Sequence, residues 1–350
     1  MGAAHRPAHA AIPRLLLFGY PVRTVAAQDD PRFTPVPLAF LGGKYEAIRP
    51  VGRGGMASVW LGLNRGVAGF TRKIAIKRVL RHLKQNDEKF EAMFVEEALI
   101  VADLHHPNIV QVEDFGRDMD GGYYIVMEWV EGLNLGGYID AHKKAGELPP
   151  WHLCMGICIE VLRALSAAHD HKDEAGQPAP VIHRDVTPAN ILIGINGNVK
   201  LTDFGLAHAM SRPGTTEPGM VKGKIAYVPP EVLKGARPDP RTDLYGLGVV
   251  LWEALTAQRL FAAEKLTDLD IAMRVLKLEV SPLAQLRPGL PAELYQLVTR
   301  SIARDPAQRF QTAPEMINAL TSILRHHPTA SDVTAVARSA QRARALLTPE

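Results

Sequence analysis

The spacing of apolar residues predicts a strand-rich first part of the chain. Between Tyr45 and Val130, short apolar runs alternate with glycine-containing turns, which is typical of β-strands. One helix is expected within this part, over about 87–104, and His106-Pro107 stops it. Its side chains recur at helical spacing at Phe90, Met93, Phe94, Glu97, Val101 and Leu104.

The pattern changes at Trp151, after which it becomes mostly helical. Long amphipathic segments run over 152–171, 241–257 and 291–324, and the loops between them carry acidic residues. Strands followed by helices predict an α+β arrangement in two lobes. We expect a small β-rich N-lobe over about 44–130 and a larger α-helical C-lobe over about 131–325.

Both ends of the chain lack this pattern. Residues 1–43 form a Pro- and Ala-rich leader, expected to be disordered or an over-long start of the reading frame, with a targeting segment as the alternative. Residues 326–350 are expected to form a loose C-terminal tail or one helix. No apolar run reaches the ~18–20 residues that a membrane helix needs, so no membrane span is expected.

Charge and cysteine content exclude several classes of function. Forty Lys and Arg residues against 37 Asp and Glu residues give a formal net charge of +3, which implies no nucleic-acid partner. Cys154 and Cys158 share one face of an apolar helix, where two buried thiols are favoured over a metal or redox pair. Two cysteines are too few for a disulfide framework, which fits a reducing, cytoplasmic compartment.

Phosphate binding is indicated first by a glycine-rich string in a predicted hairpin. The string reads Gly52-Arg53-Gly54-Gly55-Met56-Ala57-Ser58-Val59. Glycines let backbone N–H groups approach phosphate oxygens without a Cβ atom in the way. The string alone is a weak signal because many such strings are only turns. Lys77, one strand later in an apolar run, makes the signal strong.

Two acidic strings complete the set of candidate residues. They are His183-Arg184-Asp185 with Asn190 nearby, and Asp203-Phe204-Gly205. Together with Lys77, they supply carboxylates, an amide and a cation, which are the groups that metal-bound phosphates and an attacking hydroxyl require. In order and separation, the set resembles the eukaryotic-like (Hanks-type) bacterial Ser/Thr protein kinases from about Tyr45 to about Leu324.

The resemblance implies a bilobal protein-kinase fold that uses ATP and Mg²⁺ to phosphorylate Ser/Thr hydroxyls of proteins in bacterial signalling. It assigns Asp185 to accept the hydroxyl proton and Lys77 to hold the α- and β-phosphates. It assigns Asn190 and Asp203 to the metal. Glu97 matches the helix glutamate that pairs with the lysine, and its neighbour Glu96 is the less favoured alternative.

The resemblance also implies a nucleotide pocket. The residues expected to cover the phosphates are Gly52, Gly54, Gly55, Met56 and Ala57, where Ala57 stands in place of the family's third glycine. Those expected around the adenine are Val59, Ala75 and Leu192, with Met127 at the gatekeeper position and the backbones of Glu128 and Val130 at the adenine edge. Within the large lobe, Glu231 and Arg309 match a buried ion pair.

The chain departs from the family pattern beside the predicted catalytic aspartate. Ser/Thr kinases usually carry Lys two residues after this aspartate, where this chain has Thr187. They usually carry Thr at the position of Lys224, so the two residue types are exchanged. We expect Lys224 to supply the missing charge from the other side, with a lysine that points to solvent as the alternative. The exchange also weakens the inference of Ser/Thr over Tyr specificity.

Regulation by autophosphorylation is a further expectation from the resemblance. Arg184 is placed to pair with a phosphate on the segment that contains Ser211, Thr215 and Thr216, of which the two threonines are favoured. A transient homodimer would serve this reaction. Two other classes of function remain open: a nucleotide-binding pseudokinase or scaffold, and a small-molecule kinase of the same fold.

Overall fold

The lobes expected from the sequence are present in the computed structural model, which describes residues 40–41, 43–53, 57–79, 95, 98–118, 121–204, 224–261 and 266–347. A β-sheet forms the small lobe and helices form most of the large lobe. The fold is therefore the α+β, bilobal arrangement that the hydrophobic pattern predicts.

The small-lobe sheet has six antiparallel strands in the order β1-β2-β3-β4-β6-β5. They are β1 (Phe40–Leu41), β2 (Tyr45–Arg53), β3 (Ala57–Arg65), β4 (Thr71–Val79), β5 (Val112–Arg117) and β6 (Tyr123–Glu128). Alternation along β4 buries Ile74 and Ile76 in one apolar cluster and Ala75 and Val79 in another, one on each face. Both faces of this central strand are covered, so Lys77 is held in a rigid frame.

The predicted helix over 87–104 is described only at its end. Val95 and residues 98–103 are helical. Ala98 packs with the small-lobe cluster that contains Met127, whereas Val101 packs against the core of the large lobe. This helix end therefore contacts both lobes.

The chain passes to the large lobe through residues 129–131, followed by β7 (Gly132–Asn134). β7 joins β8 (Ile191–Gly194) and β9 (Val199–Leu201) in a second antiparallel sheet. A Cβ atom at Gly132 would lie 2.0 Å from the carbonyl oxygen of Ile193, so only glycine allows this approach. The second sheet thus anchors the interlobe connector.

Helices make up the rest of the large lobe. They are α1 (Leu135–Lys144), α2 (Trp151–His169), α3 (Pro230–Leu233), α4 (Pro240–Thr256), α5 (Asp268–Lys277), α6 (Leu283–Leu286), α7 (Ala292–Ser301), α8 (Ala313–His326) and α9 (Val333–Leu347). α2 and α4 lie at the centre of the core. Within the described part of the chain, α2 alone is long and apolar enough to cross a bilayer, and 67% of its apolar window is buried inside the protein.

The two cysteines lie on α2 and are buried. Burial raises the pKa of Cys154 to about 12 and raises the pKa of Cys158 as well. Thiols with such pKa values remain protonated and unreactive at neutral pH. Their surroundings are those of core residues.

The C-terminal residues expected as a loose tail or one helix contain α9, which packs against α1, α2, β7 and β8. Its buried residues are mostly alanines: Ala335, Val336, Ala340 and Ala343. The chain also approaches Gly197 closely, because a Cβ atom there would lie 2.0 Å from the carbonyl oxygen of Val333. Small residues on both sides therefore allow the helix to lie close to the lobe.

Candidate active site between the lobes

A buried lysine of the small lobe meets an acidic residue of the large lobe. Lys77 lies on β4 and is 3% exposed, and its Nζ atom lies 2.8 Å from Asp203 Oδ1. Burial alone would raise the pKa of Asp203, but the charge of Lys77 and its hydrogen bond outweigh burial and lower this pKa. Asp203 is therefore an anion at neutral pH, and it lies beside the cationic amine of Lys77.

The predicted catalytic aspartate is held by the predicted metal ligand. Asn190 Nδ2 donates to Asp185 Oδ2 at 2.8 Å and to the Asp185 carbonyl oxygen at 2.9 Å. A short 3-10 helix, Pro188–Asn190, turns the chain so that these groups meet. The backbone N–H of Thr202 donates to the Asn190 carbonyl oxygen at 2.9 Å, so the segment that leads to Asp203 lies beside this turn.

Lys224 contacts the same carboxylate oxygen of Asp185 as Asn190 does. Its Nζ atom is 2.5 Å from Asp185 Oδ2, although the two residues are separated by 39 positions in the sequence. The Lys224 side chain is 51% exposed, whereas that of Asp185 is 10% exposed. The lysine thus turns towards the aspartate, and the alternative of a side chain directed only at solvent does not describe this structure.

The backbone before Asp185 is fixed by one buried carboxylate on α4. Asp243 Oδ2 accepts from His183 N–H at 2.9 Å, and Asp243 Oδ1 accepts from Arg184 N–H at 2.7 Å. Arg184 has a positive φ of 65°, a strained conformation for a residue with a side chain. Charge-assisted hydrogen bonds offset this strain and define the direction in which Asp185 projects.

His183 and Phe204 link the two acidic strings by packing. Their ring centroids lie 4.5 Å apart in an edge-on arrangement, and His183 also contacts the Thr202 carbonyl oxygen through Nε2 at 3.0 Å. Phe204 is buried. Both rings therefore support the backbone that carries Asp185 and Asp203.

The predicted adenine-binding residues belong to one apolar cluster that extends across the lobes. Ala75 and Met127 are buried members, and Val59, Val130 and Leu192 pack against them. Glu128 N–H donates to the Gln111 carbonyl oxygen, whereas Val130 has no backbone hydrogen bond to another described residue. A backbone N–H that makes no hydrogen bond to a described residue and lies beside an apolar wall suits the edge of a heteroaromatic ring.

A small cavity of about 20 Å³, partly open to solvent, lies beside this cluster. It is bounded by the Lys77–Asp203 pair, by Met127 and by the helix end that contains Ala98. Val101, Val112 and Phe204 also line it. The space therefore connects the predicted phosphate region with the helix expected to carry Glu97.

A second ion pair stabilises the large lobe away from these groups. Arg309 Nη1 and Nη2 donate to Glu231 Oε1 and Oε2 at 2.7 and 2.8 Å. The Arg309 side chain is fully buried and that of Glu231 is 23% exposed. Two parallel hydrogen bonds give the pair a fixed geometry.

Several predicted residues lie outside the part of the chain that the structure describes. They are Gly54, Gly55, Met56, Glu96, Glu97, Gly205, Ser211, Thr215 and Thr216. Of the predicted phosphate loop, Gly52 and Ala57 are described, on β2 and β3. The Lys77–Glu97 pairing and the phosphorylation of the threonines therefore stay predictions.

Two contacts near the site were not predicted. His169, the last residue of α2, places Nε2 2.8 Å from Asp243 Oδ2, which gives this carboxylate a third polar partner. Glu131, in the interlobe connector, pairs with both Lys73 and Arg344. Sequence spacing gives no signal for either contact, because the partners are far apart along the chain.

The chain is similar to known protein kinases. The family model described as "Protein kinase domain" matches residues 45–326. The chain is 39% identical over 292 residues to the tyrosine-protein kinase MasK of Myxococcus xanthus, which is 83% of this chain and 45% of that protein. It is 36% identical over 276 residues to the serine/threonine-protein kinase PrkC of Bacillus subtilis, which is 79% of this chain and 40% of that protein.

A solved structure shows the same fold. The kinase domain of Mycobacterium tuberculosis PknI is 26% identical with a TM-score of 0.61, and the match covers 83% of this chain and 99% of that domain. The chain spans less than half the length of MasK and PrkC. Because the family model extends from β2 of the small lobe to α8, the chain belongs to the protein kinase family.

Proposed function

We propose that the chain is an ATP- and Mg²⁺-dependent protein kinase that transfers the γ-phosphoryl group to Ser/Thr hydroxyls of proteins. The proposal rests on two contacts at the junction of the lobes. Lys77 forms an ion pair with Asp203, and Asn190 donates a hydrogen bond to Asp185. A pseudokinase that only binds nucleotide does not require all four of these side chains. Their retention therefore favours catalysis over nucleotide binding alone.

The residues present fit a magnesium ion. Asn190 donates its amide nitrogen to Asp185, which leaves the amide oxygen as a ligand, and Asp203 supplies a carboxylate whose pKa is lowered. Among the described residues, no three His, Cys, Asp or Glu side chains form a metal cluster. Two oxygen ligands with phosphates and waters match the way Mg²⁺ binds. When bound, the ion neutralises phosphate charge.

Each remaining group has a separate role in the proposed reaction. Lys77 binds the α- and β-phosphates, and the buried β4 fixes the position of its amine. Asp185 orients the attacking hydroxyl and accepts its proton as the new O–P bond forms. Lys224 places a positive charge beside Asp185, where it would stabilise the negative charge of the phosphoryl group during transfer.

Tyrosine phosphorylation is the second candidate, and Lys224 is the observation that favours it. This lysine stands where Ser/Thr kinases usually carry threonine, and the relative MasK is named a tyrosine-protein kinase. PrkC is named a serine/threonine-protein kinase. The Ser/Thr assignment is preferred because the chain resembles the bacterial Ser/Thr kinases and PrkC carries that name; Asp185, Asn190 and Asp203 do not separate the two candidates.

The proposal is tested with purified protein, radiolabelled ATP, Mg²⁺ and a generic protein substrate. Wild type is expected to label the substrate, whereas Asp203→Ala and Lys77→Met are expected to lose nearly all transfer. Phosphoamino-acid analysis of the product separates phosphoserine and phosphothreonine from phosphotyrosine. Labelling at the same rate by Asp203→Ala would contradict the proposed site, and phosphotyrosine alone would favour the second candidate.

The location and partners are proposed on the same basis. A kinase that uses ATP and keeps two free cysteines suits the cytoplasm. Its partners would be protein substrates and a second copy of the chain during autophosphorylation. Size-exclusion chromatography with and without ATP would reveal such a dimer.

A further inference from the structure

One carboxylate in the interlobe connector joins three parts of the molecule. Glu131 Oε2 accepts from Lys73 Nζ at 2.8 Å and from Trp129 Nε1 at 3.0 Å. Glu131 Oε1 accepts from Arg344 Nη2 at 2.8 Å. Lys73 lies on β4 of the small lobe, and Arg344 lies on α9. The C-terminal helix is thus connected to the small-lobe sheet through a single side chain.

The position of Glu131 gives this contact a functional consequence. The residue directly follows Val130, whose backbone is expected to meet the adenine. Its own carbonyl oxygen accepts from Ile195 N–H at 2.9 Å. Hydrogen bonds therefore fix both the backbone and the carboxylate of Glu131. The path of the connector depends on both sets of hydrogen bonds.

Helix α9 is itself firmly placed and can act as a support. Its alanine face is buried against the large lobe. Polar contacts reinforce the packing, since Tyr138 and Ser339 share a hydrogen bond of 2.7 Å and Gln341 Nε2 donates to the Ile195 carbonyl oxygen at 2.8 Å. The helix lies wholly beyond residue 326, where the match to the kinase family model ends.

We infer that Arg344 is a positioning residue for nucleotide binding: from α9 it fixes Glu131, and through Glu131 it fixes the connector that receives the adenine. This inference rests on the proposed function, because it assumes that ATP binds between the lobes. It predicts that loss of the Arg344 charge weakens nucleotide affinity and leaves the phosphoryl-transfer step almost unchanged.

A matched control lies on the same helix. Arg342 pairs with Glu147 at 2.7 Å, and both side chains are about half exposed, at 56% and 45%. Glu147 belongs to the loop after α1 and not to the connector. Arg342→Gln therefore removes one ion pair of α9 without altering Glu131.

The experiment measures binding of a non-hydrolysable ATP analogue with Mg²⁺ by calorimetry, on the full chain. Arg344→Gln and Glu131→Gln are each expected to raise Kd by about threefold to fivefold, the upper range for a partly exposed ion pair. The double variant should be no weaker than Glu131→Gln alone, because Glu131→Gln already removes the ion pair that Arg344 makes. Arg344→Lys should restore part of the affinity, and Arg342→Gln should bind like wild type.

Steady-state kinetics distinguish a positioning role of Arg344 from a general loss of active protein. In Arg344→Gln, KM for ATP should rise by about threefold to fivefold, as Kd does, while kcat changes by less than about twofold. Equal affinities of Arg344→Gln and Arg342→Gln would overturn the inference and leave the proposed function intact. A wild-type protein that binds no nucleotide would overturn both.

Discussion

Lys224 Nζ lies 2.5 Å from Asp185 Oδ2, so the cation beside the predicted catalytic aspartate comes from a residue 39 positions further along the chain. The position two residues after Asp185, where the family usually carries lysine, holds Thr187, which is buried. A positive charge therefore lies beside Asp185, although the residue types are exchanged relative to the family pattern. A kinase reaction needs this charge near the transferred group, not at one particular position in the chain.

The exchange of lysine and threonine is testable by restoring the usual arrangement. Lys224→Thr should lower kcat more than it changes ATP affinity, because a contact made at the transferred group is lost. Adding Thr187→Lys should recover much of the rate. Initial rates of wild type, both single variants and the double variant give the coupling energy. Additive effects would mean that Lys224 and Thr187 do not share one role.

The role of Asp185 predicts a separation of binding from transfer. Asp185→Asn should keep nucleotide affinity near wild type and reduce kcat by about 10²-fold or more, because the proton acceptor is lost while the amide preserves shape. Calorimetry and single-turnover kinetics measure the two quantities. Asp173→Asn, in the surface loop after α2, is the control and should behave as wild type. Transfer by Asp185→Asn at the wild-type rate would show that the catalytic loop is wrongly assigned.

The ion pair between Glu231 and Arg309 predicts a large effect on stability. Arg309→Met should lower the free energy of unfolding by about 3–5 kcal/mol, because a carboxylate that is mostly buried loses its partner. Arg163→Met removes an exposed pair with Glu160 and should cost only about 0–1 kcal/mol. Urea denaturation of both variants provides the comparison. Similar losses in the two variants would contradict the proposed importance of the buried pair.

Glu131 predicts a pH dependence of stability. Burial would raise the pKa of Glu131, but hydrogen bonds from Lys73 and Trp129 outweigh burial and lower this pKa from 4.5 to about 2. A lowered carboxyl pKa stabilises the folded state above the unfolded-state value of 4.5, and the stabilisation is lost as pH falls towards 2. The difference in Tm between wild type and Glu131→Gln should therefore narrow from about pH 7 to about pH 3.5. A constant difference would rule out ionisation of Glu131 as its source.

Sequence reasoning succeeded where local pattern determines structure. The apolar run around Lys77 indicated a strand, and the structure has this strand, with both of its faces buried. The resemblance implied that Asp185, Asn190 and Asp203 share one site. In the structure, hydrogen bonds join Asp185 to Asn190 and join Thr202, the neighbour of Asp203, to Asn190.

The sequence did not predict contacts between residues that are far apart along the chain, nor the packing of a helix through small residues. Glu131 and Arg344 are 213 positions apart, and exposed charged residues are too common for such a pair to be chosen. The packing face of α9 consists mostly of alanines, whose small side chains give a weak hydrophobic period. His169 ends a helix like many others, and only the fold brings it to Asp243.

The packing of α9 also determines how short a working chain can be made. Cleavage after His326, where the family match ends, would remove the partner of Tyr138 and uncover the apolar side of α1. Newly exposed apolar surface promotes self-association. A chain ending at 326 should therefore be less soluble than one ending at 347. Proteolysis between α8 and α9 would inactivate the protein by aggregation, although every active-site residue would still be present.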